Sequence, residues 1–178
     1  MFHLSSSRLR LIPLTHEQLI LLSTDRSALE NAMGLTRSDF KLNAPDSFLA
    51  ELEQVLTTIV APAVLDKPSA QLWYTHWLIV ENSTNLTVGG IGLAGEPNEL
   101  GEVMIGYYID AQVENLGYAT EAVRVFSEWI FSSNEVRMIV ADTLSDGFGS
   151  QKVLQKNGFE LVGTTEEGLR WVLTKNAV

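Results

Sequence analysis

The chain has 178 residues, 46% of them hydrophobic, which is enough to bury one ordinary core and gives no sign of a second domain. Its 22 acidic against 12 basic residues leave a net charge of −10, which repels nucleic acid and anionic membranes and suits a cationic acceptor such as an amine or a basic peptide. The absence of cysteine excludes disulfides, thiolate metal sites and a cysteine nucleophile, and His3, His16 and His76 are too scattered to suggest a metal site.

Met1-Phe2-His3-Leu4 lacks the charged start and long apolar run of a signal peptide, and no apolar run reaches transmembrane length. A cytoplasmic enzyme with no membrane partner is the expectation. From Arg8 to Leu14 polar and apolar residues alternate up to Pro13, as in a first strand at or near a sheet edge. Thr15 can cap a helix from His16 with Leu19 and Leu22 inward, and Ser27 to Met33 reads as a short helical turn ending at Gly34. Leu35 to Pro45 shows no period and is expected to be a loop. Asp46 then caps a helix with Phe48, Leu49, Leu52, Leu56, Ile59 and Val60 on one broad face, broken near Pro62.

Leu72 to Val80 is aromatic and β-branched and reads as a strand, turned back at Glu81 to Asn85 into Leu86 to Ala94. Gly90 to Gly95 spells G-x-G-x-x-G, but a dinucleotide loop must open a helix, and Glu96, Pro97 and Asn98 follow instead. Glu102 to Ile109 is apolar on both sides, hence a central strand. From Ala119 the period becomes helical, with Ala119, Ala122, Val123, Phe126 and Ile130 on one face and Glu121, Arg124 and Glu128 facing water.

Val136 to Ala141 is a further short strand, and Ser145 or Asp146 caps a helix stopped by Asn157-Gly158. Phe159 to Gly163 and Arg170 to Thr174 form a last hairpin. This order argues for an α/β or α+β sheet with helices on both faces, in a single domain over residues 1–178.

The turn into the helix at Gly117-Tyr118-Ala119 has its own chemistry. Backbone N–H groups at a helix start have no partner inside the helix and lie at the positive end of its dipole, where an anion binds well. Gly117 lets a phosphate approach the backbone; the plainer alternative is a glycine that only eases the turn.

GYATEA at 117–122, after the strand GEVMIGYYID at 101–110, resembles the coenzyme A pyrophosphate loop of the GNAT superfamily of N-acetyltransferases, most closely the ribosomal-protein N-terminal acetyltransferase branch. DTLSDGFGSQKVLQKNGFELVG at 142–163 is similar to that branch's later motif, and with residues 77–95 the resemblance covers about the last hundred residues. It implies a mixed, mostly antiparallel twisted sheet, acetyl-CoA as cosubstrate, no metal, and an acetyl acceptor that is a small-molecule amine or a peptide N-terminus.

On that resemblance, backbone groups near Tyr107, Tyr108 and Ile109 bond the pantetheine arm, and Glu114, Asn115, Leu116, Gly117, Tyr118, Ala119 and Thr120 supply donors to the pyrophosphate. Ser150 matches the motif serine near the cofactor sulfur, its alternative being a helix residue bonded to local backbone. Lys156, Lys152 or Arg124 could meet the adenosine phosphate or be solvated surface charges. Glu102 or Asp142 could serve as base through a water, or be solvated strand-end carboxylates. The chain departs from the family pattern at Glu114 and Asn115, where Arg or Gln and then Gly are usual, at Leu116, often basic, and at Gly147, usually Asn. Leu154 stands where many members carry the tyrosine acid. These departures keep a second reading open, an acyl-CoA-binding module whose catalysis has decayed.

Overall fold

The computed structural model describes residues 2–44, 46–166 and 168–175, with the side chains of all of these except 46–48. The strands are β1 (Leu4–Ser5), β2 (Leu9–Pro13), β3 (His76–Glu81), β4 (Thr87–Leu93), β5 (Glu102–Ile109), β6 (Met138–Leu144), β7 (Glu160–Thr164) and β8 (Gly168–Thr174). They form one sheet in the order β1-β2-β3-β4-β5-β6-β8-β7. All neighbours are antiparallel except β5 and β6, so the sheet is mixed and mostly antiparallel, with β5 central.

The helices are α1 (His16–Thr24), α2 (Arg26–Ala32), α3 (Asp46–Val55), α4 (Ala61–Asp66), α5 (Gln71–Tyr74), α6 (Tyr118–Phe131) and α7 (Phe148–Lys156). Strand alternation divides the core between the two sheet faces. Leu9, Leu11, Trp77 and Ile79 point to one face and pack with Ala122, Val123, Phe126 and Ile130 of α6 and Leu154 of α7. Ile12, Leu78 and Val80 point to the other and pack with Leu19, Leu22 and Leu29 of α1 and α2 and Ala61 and Val64 of α4. Strands buried on both sides explain the near-continuous apolar runs in the sequence.

Several expectations hold locally. Thr15 caps α1 in a full capping box with Gln18, and Gly34 and Gly158 adopt left-handed φ of 67° and 81° just past α2 and α7. The 90–95 glycine motif begins inside β4 and continues into a turn, not a helix.

Others are corrected. Leu72 to Tyr74 is not strand but the short helix α5, and β3 starts at His76. The helical turn sets Trp73 against Trp129, ring centroids 5.2 Å apart and tilted by 33°, and this tertiary contact overrides the strand preference of an aromatic run. Pro62 does not break its helix, because α3 runs through a π turn at Leu56–Val60 into α4. Ala61 N–H bonds Leu56 five residues back, and the wider turn accommodates a proline that has no N–H and crowds the carbonyl four residues before it. The Asp46 cap and the Phe48 contact lie outside the described side chains.

The strand expected at Val136 starts at Met138 and runs on to Leu144. Neither Ser145 nor Asp146 caps α7. Its N-cap is Gly147, without a side-chain bond, while the Ser145 carbonyl accepts from Gln151 Nε2 at 3.1 Å. Glu121 does not face water. It accepts from Ser6 Oγ at 2.7 Å, Ser7 Oγ at 3.1 Å, Arg8 N at 3.0 Å and Arg8 Nε at 2.7 Å, tying the N-terminal segment to α6.

Candidate active site

Parallel pairing between β5 and β6 covers only Glu102 to Met104 against Met138 to Val140. Beyond that, Ile105 to Ile109 pair with β4 alone, and Ala141 to Leu144 with β8 alone. The sheet therefore splits at its centre, and along the split β5 carries backbone groups with no strand on the β6 side. A bound extended chain can take those hydrogen bonds as a neighbouring strand would.

The split leads to the turn before α6. Asp110 N–H bonds Val88 O, the Asp110 side chain accepts from Gln112 N, and Ala111 N–H bonds Lys41 O, which fixes the start of the turn. Asn115 and Gly117 are both left-handed, with φ of 63° and 83°. Gly117 is the N-cap of α6 and has no side chain with which to satisfy the N–H groups of Tyr118, Ala119 and Thr120. A cap residue of the usual kind would occupy that position with its own oxygen. Here no side-chain oxygen occupies that position, and α6 is long enough, at 14 residues, to give its dipole full effect.

Sequence reasoning missed the cation at this turn. Arg8, just before β2, donates from Nε to Glu121 and from Nη1 to Leu116 O at 3.0 Å, and lies 4.8 Å from the centre of the Tyr118 ring. Its Nη2 is 3.4 Å from where a Cβ on Gly117 would stand. A guanidinium from 109 positions before Gly117 thus folds back over the turn. Burial pushes the Glu121 carboxyl up, but hydrogen bonds from Ser6, Arg8 and Ser7 outweigh it and hold the pKa at about 2.

Across the split, the Tyr107 hydroxyl lies 2.8 Å from Ser150 Oγ and 3.1 Å from Ser150 O. Burial pushes the Tyr107 pKa up to about 12, so the phenol is protonated at neutral pH. Leu154 is fully buried in the core, one helical turn beyond Ser150.

The next side chain on β5, Tyr108, points to the opposite face and stacks on His76, centroids 5.5 Å apart, with its hydroxyl 2.9 Å from Nε2. Burial, and the nearby Arg26 charge, lower the His76 pKa to about 3, so the imidazole is neutral. Gly90 lies between them. A Cβ there would stand 2.2 Å from His76 Nε2 and 2.6 Å from the Tyr108 ring, so only glycine admits the pair.

Thus Tyr107, Tyr108 and Ile109 lie on the unpaired stretch of β5, Tyr107 is bonded to Ser150 of α7, and Asn157, just past α7, donates to Thr120 O at the start of α6 at 3.2 Å, so these residues are neighbours. Glu102 is not among them: it stands at the far end of β5, about 16 Å from Tyr107 at 3.3 Å per residue. Asp142 lies on β6 just past the last β5 pair, its carboxylate held by Arg170 Nε and Nη2 at 2.9 and 2.8 Å. Lys152 and Lys156 are exposed on α7, and Arg124 pairs with Glu128 on the outer face of α6. Among the described residues no cluster of three or more potential metal ligands occurs, and no helix is long and apolar enough to cross a membrane.

Comparison with known proteins identifies the family. Residues 8–160 match the model of the acetyltransferase (GNAT) domain family. The chain belongs to that family. It is 33% identical over 109 residues to the uncharacterized N-acetyltransferase YjdG of Bacillus subtilis, a match covering 61% of this chain and 65% of that protein, just under two thirds of the relative's length. The GNAT fold is shared with a ribosomal L7/L12 alpha-N-protein acetyltransferase solved in complex with coenzyme A, at TM-score 0.68 and 16% identity over 97% of this chain and 98% of that one. It is also shared with the aminoglycoside acetyltransferase AAC(6')-Ib in complex with coenzyme A, at TM-score 0.60 and 22% identity over 94% of this chain and 95% of that one.

Proposed function

We propose that this GNAT protein is an acetyl-CoA-dependent N-acetyltransferase that moves the acetyl group to a primary amine of a small molecule or a peptide N-terminus. The observation that carries the reading is the split between β5 and β6 ending at a helix capped by glycine. The split offers strand-type bonds to the pantetheine arm from Tyr107 to Ile109. Glu114 to Thr120 offer backbone donors to the pyrophosphate, with Gly117 at their centre, and the Arg8 guanidinium adds a charge-assisted donor. Lys156 is the residue assigned to the outer phosphate, from the exposed end of α7.

Acetyl transfer needs a positioned thioester, a neutral amine, and a proton for the departing thiolate. In this reading Ser150 Oγ donates a hydrogen bond to the sulfur; its 2.8 Å contact with the hydroxyl of Tyr107, which burial keeps protonated, supports the assignment. Of the two carboxylates considered as bases, Asp142 is nearer the split and shares the β5 and β6 face with Tyr108. Its assigned part is to take the amine proton through a water from within its pair with Arg170. Glu102 is assigned the more distant end of the same face.

The test is titration calorimetry with acetyl-CoA followed by thiol release against a panel of amines and peptide N-termini. Tight binding with no turnover of any acceptor overturns the enzyme in favour of an acyl-CoA-binding module; absence of binding at millimolar coenzyme overturns both.

A further inference from the structure

The face of the sheet that carries Tyr108 opens into a groove of about 490 Å3. Leu22 of α1, Leu49 and Leu52 of α3, Leu56 and Phe40 make it an apolar channel whose floor on the sheet is the Tyr108 ring. The volume suits one small molecule held by its apolar part. Because Tyr107 and Tyr108 are successive residues on opposite faces of the unpaired stretch of β5, the groove meets the split from the side opposite α6 and α7. On the acetyltransferase reading, an amine in the groove faces the split from that side.

The charge in this groove is opposite to that of the chain. Arg26 lines it and stacks on the Phe40 ring at 4.0 Å, and among the described residues no carboxylate lies within 4.0 Å of its guanidinium. Lys41 also lines the groove, paired with Asp39 at 3.1 Å, and Glu53 is an exposed residue of its rim. A second hollow of about 450 Å3 adjoins the Arg26 and Phe40 stack and is lined by Arg37 as well. Among the described residues Arg26 thus has no acidic partner in a groove that also carries apolar lining, and a guanidinium so placed suits an anionic group on an apolar body.

Phe40 packs edge-on against Tyr108 with centroids 6.0 Å apart, so Arg26 stands within one aromatic ring of the end of the groove where the amine must react. A ligand that carries its anionic group next to its amine can therefore meet Arg26 and Tyr108 together.

We propose that the acceptor is a free α-amino acid with an apolar side chain, its carboxylate on Arg26, its side chain among the leucines and its amine beside Tyr108. This rests on the acetyltransferase reading above. The amine nitrogen attacks the thioester carbonyl carbon, the C–N bond forms and the C–S bond breaks. One proton leaves the nitrogen, the thiolate takes one proton, and the products are an N-acetylamino acid and the coenzyme thiol. Arg26 also favours the neutral, reactive form of the incoming amine and repels polyamines.

The experiment compares L-leucine, L-phenylalanine, their amides, L-leucyl-glycine and spermidine as acceptors with saturating acetyl-CoA, following thiol release and the acetylated product by mass. The free acids are expected to exceed their amides at least tenfold in kcat/KM, and spermidine by more. Arg26→Gln should bring the acid-to-amide ratio towards one, and Arg26→Lys should restore part of it. Calorimetry with N-acetyl-L-leucine and its amide gives the same comparison without turnover, the acid binding at least tenfold more tightly in the parent and not in Arg26→Gln. Amides or the dipeptide used as well as the free acids, or spermidine preferred, overturns the amino-acid proposal and leaves the acetyltransferase reading intact. Failure to bind acetyl-CoA at all overturns both.

Discussion

Tyr107 on β5 and Ser150 on α7 touch through their hydroxyls at 2.8 Å, beyond the point where β5 and β6, the only parallel pair of the described sheet, part. The bond spans the split in which the thioester is proposed to lie, and Ser150 is thereby aimed by a phenol that burial keeps protonated. Ser150→Ala should lower kcat by roughly tenfold, the worth of one hydrogen bond to a charged leaving group, with little change in KM for acetyl-CoA. Tyr107→Phe should lower it less, and the double variant should be no worse than Ser150→Ala. Steady-state kinetics at saturating amine reads the result. Additive losses would show that the two hydroxyls act separately.

Arg8 has two of its guanidinium nitrogens committed, to Glu121 and Leu116, and presents the third to the Gly117 turn. Arg8→Gln should therefore raise the Kd for acetyl-CoA several-fold at low salt and less at high salt, where the phosphate charge is screened. S-acetyl-pantetheine, which lacks the pyrophosphate, should bind the parent and the variant alike. A loss of equal size with both donors would place the effect of Arg8 on the fold instead of the phosphate.

What could be read along the chain was what repeats along it. The two-sided apolar run of β5 and the helical period of α6 are local, so both elements and the turn between them were legible. Arg8 and Glu121 are 113 residues apart and meet only because β2 folds beside the start of α6, so the basic group of the turn was hidden and Glu121 was placed in water. His76 and Tyr108 are joined over Gly90, and in sequence that glycine registers only as part of a dinucleotide-like motif. The groove lining comes from α1, α3 and the aperiodic 35–44 loop, whose residues acquire a common direction only in the folded chain.

The pH dependence of stability should have two steps. His76 is lowered from 6.5 to about 3 in the fold, so between these values the unfolded chain binds a proton that the folded one does not, and stability falls as pH drops through that window. The fall is about 1.4 kcal/mol per pH unit for one such group. Glu121 and Glu81 are held at about 2. Their contribution is complete above the ordinary carboxylate value of 4.5 and is lost as pH falls from there towards 2. Urea titrations at pH 7 and pH 5 isolate the histidine step, which His76→Gln should abolish. A parent chain equally stable at both pH values would mean that the His76 pocket accepts a proton.

Gly117 tests the coenzyme site most directly, and its backbone decides which substitution is informative. Its φ of 83° is a region that a β-branched residue scarcely enters, so Gly117→Val strains the turn whatever the ligand does. Asparagine tolerates the left-handed region and is also a good helix cap. In Gly117→Asn the side chain has room, since the nearest heavy atom to a Cβ is the Arg8 guanidinium at 3.4 Å. The side chain would then lie where the pyrophosphate is proposed to sit, and its oxygen can satisfy N–H groups at the start of α6. Acetyl-CoA affinity should fall by well over tenfold, upwards of about 1.4 kcal/mol, while the melting temperature of the free protein holds or rises. S-acetyl-pantetheine should again be unaffected. Calorimetry and thermal melts on the same preparation give both numbers. If Gly117→Asn binds acetyl-CoA as the parent does, the helix start is not the phosphate site, and the glycine serves only the turn.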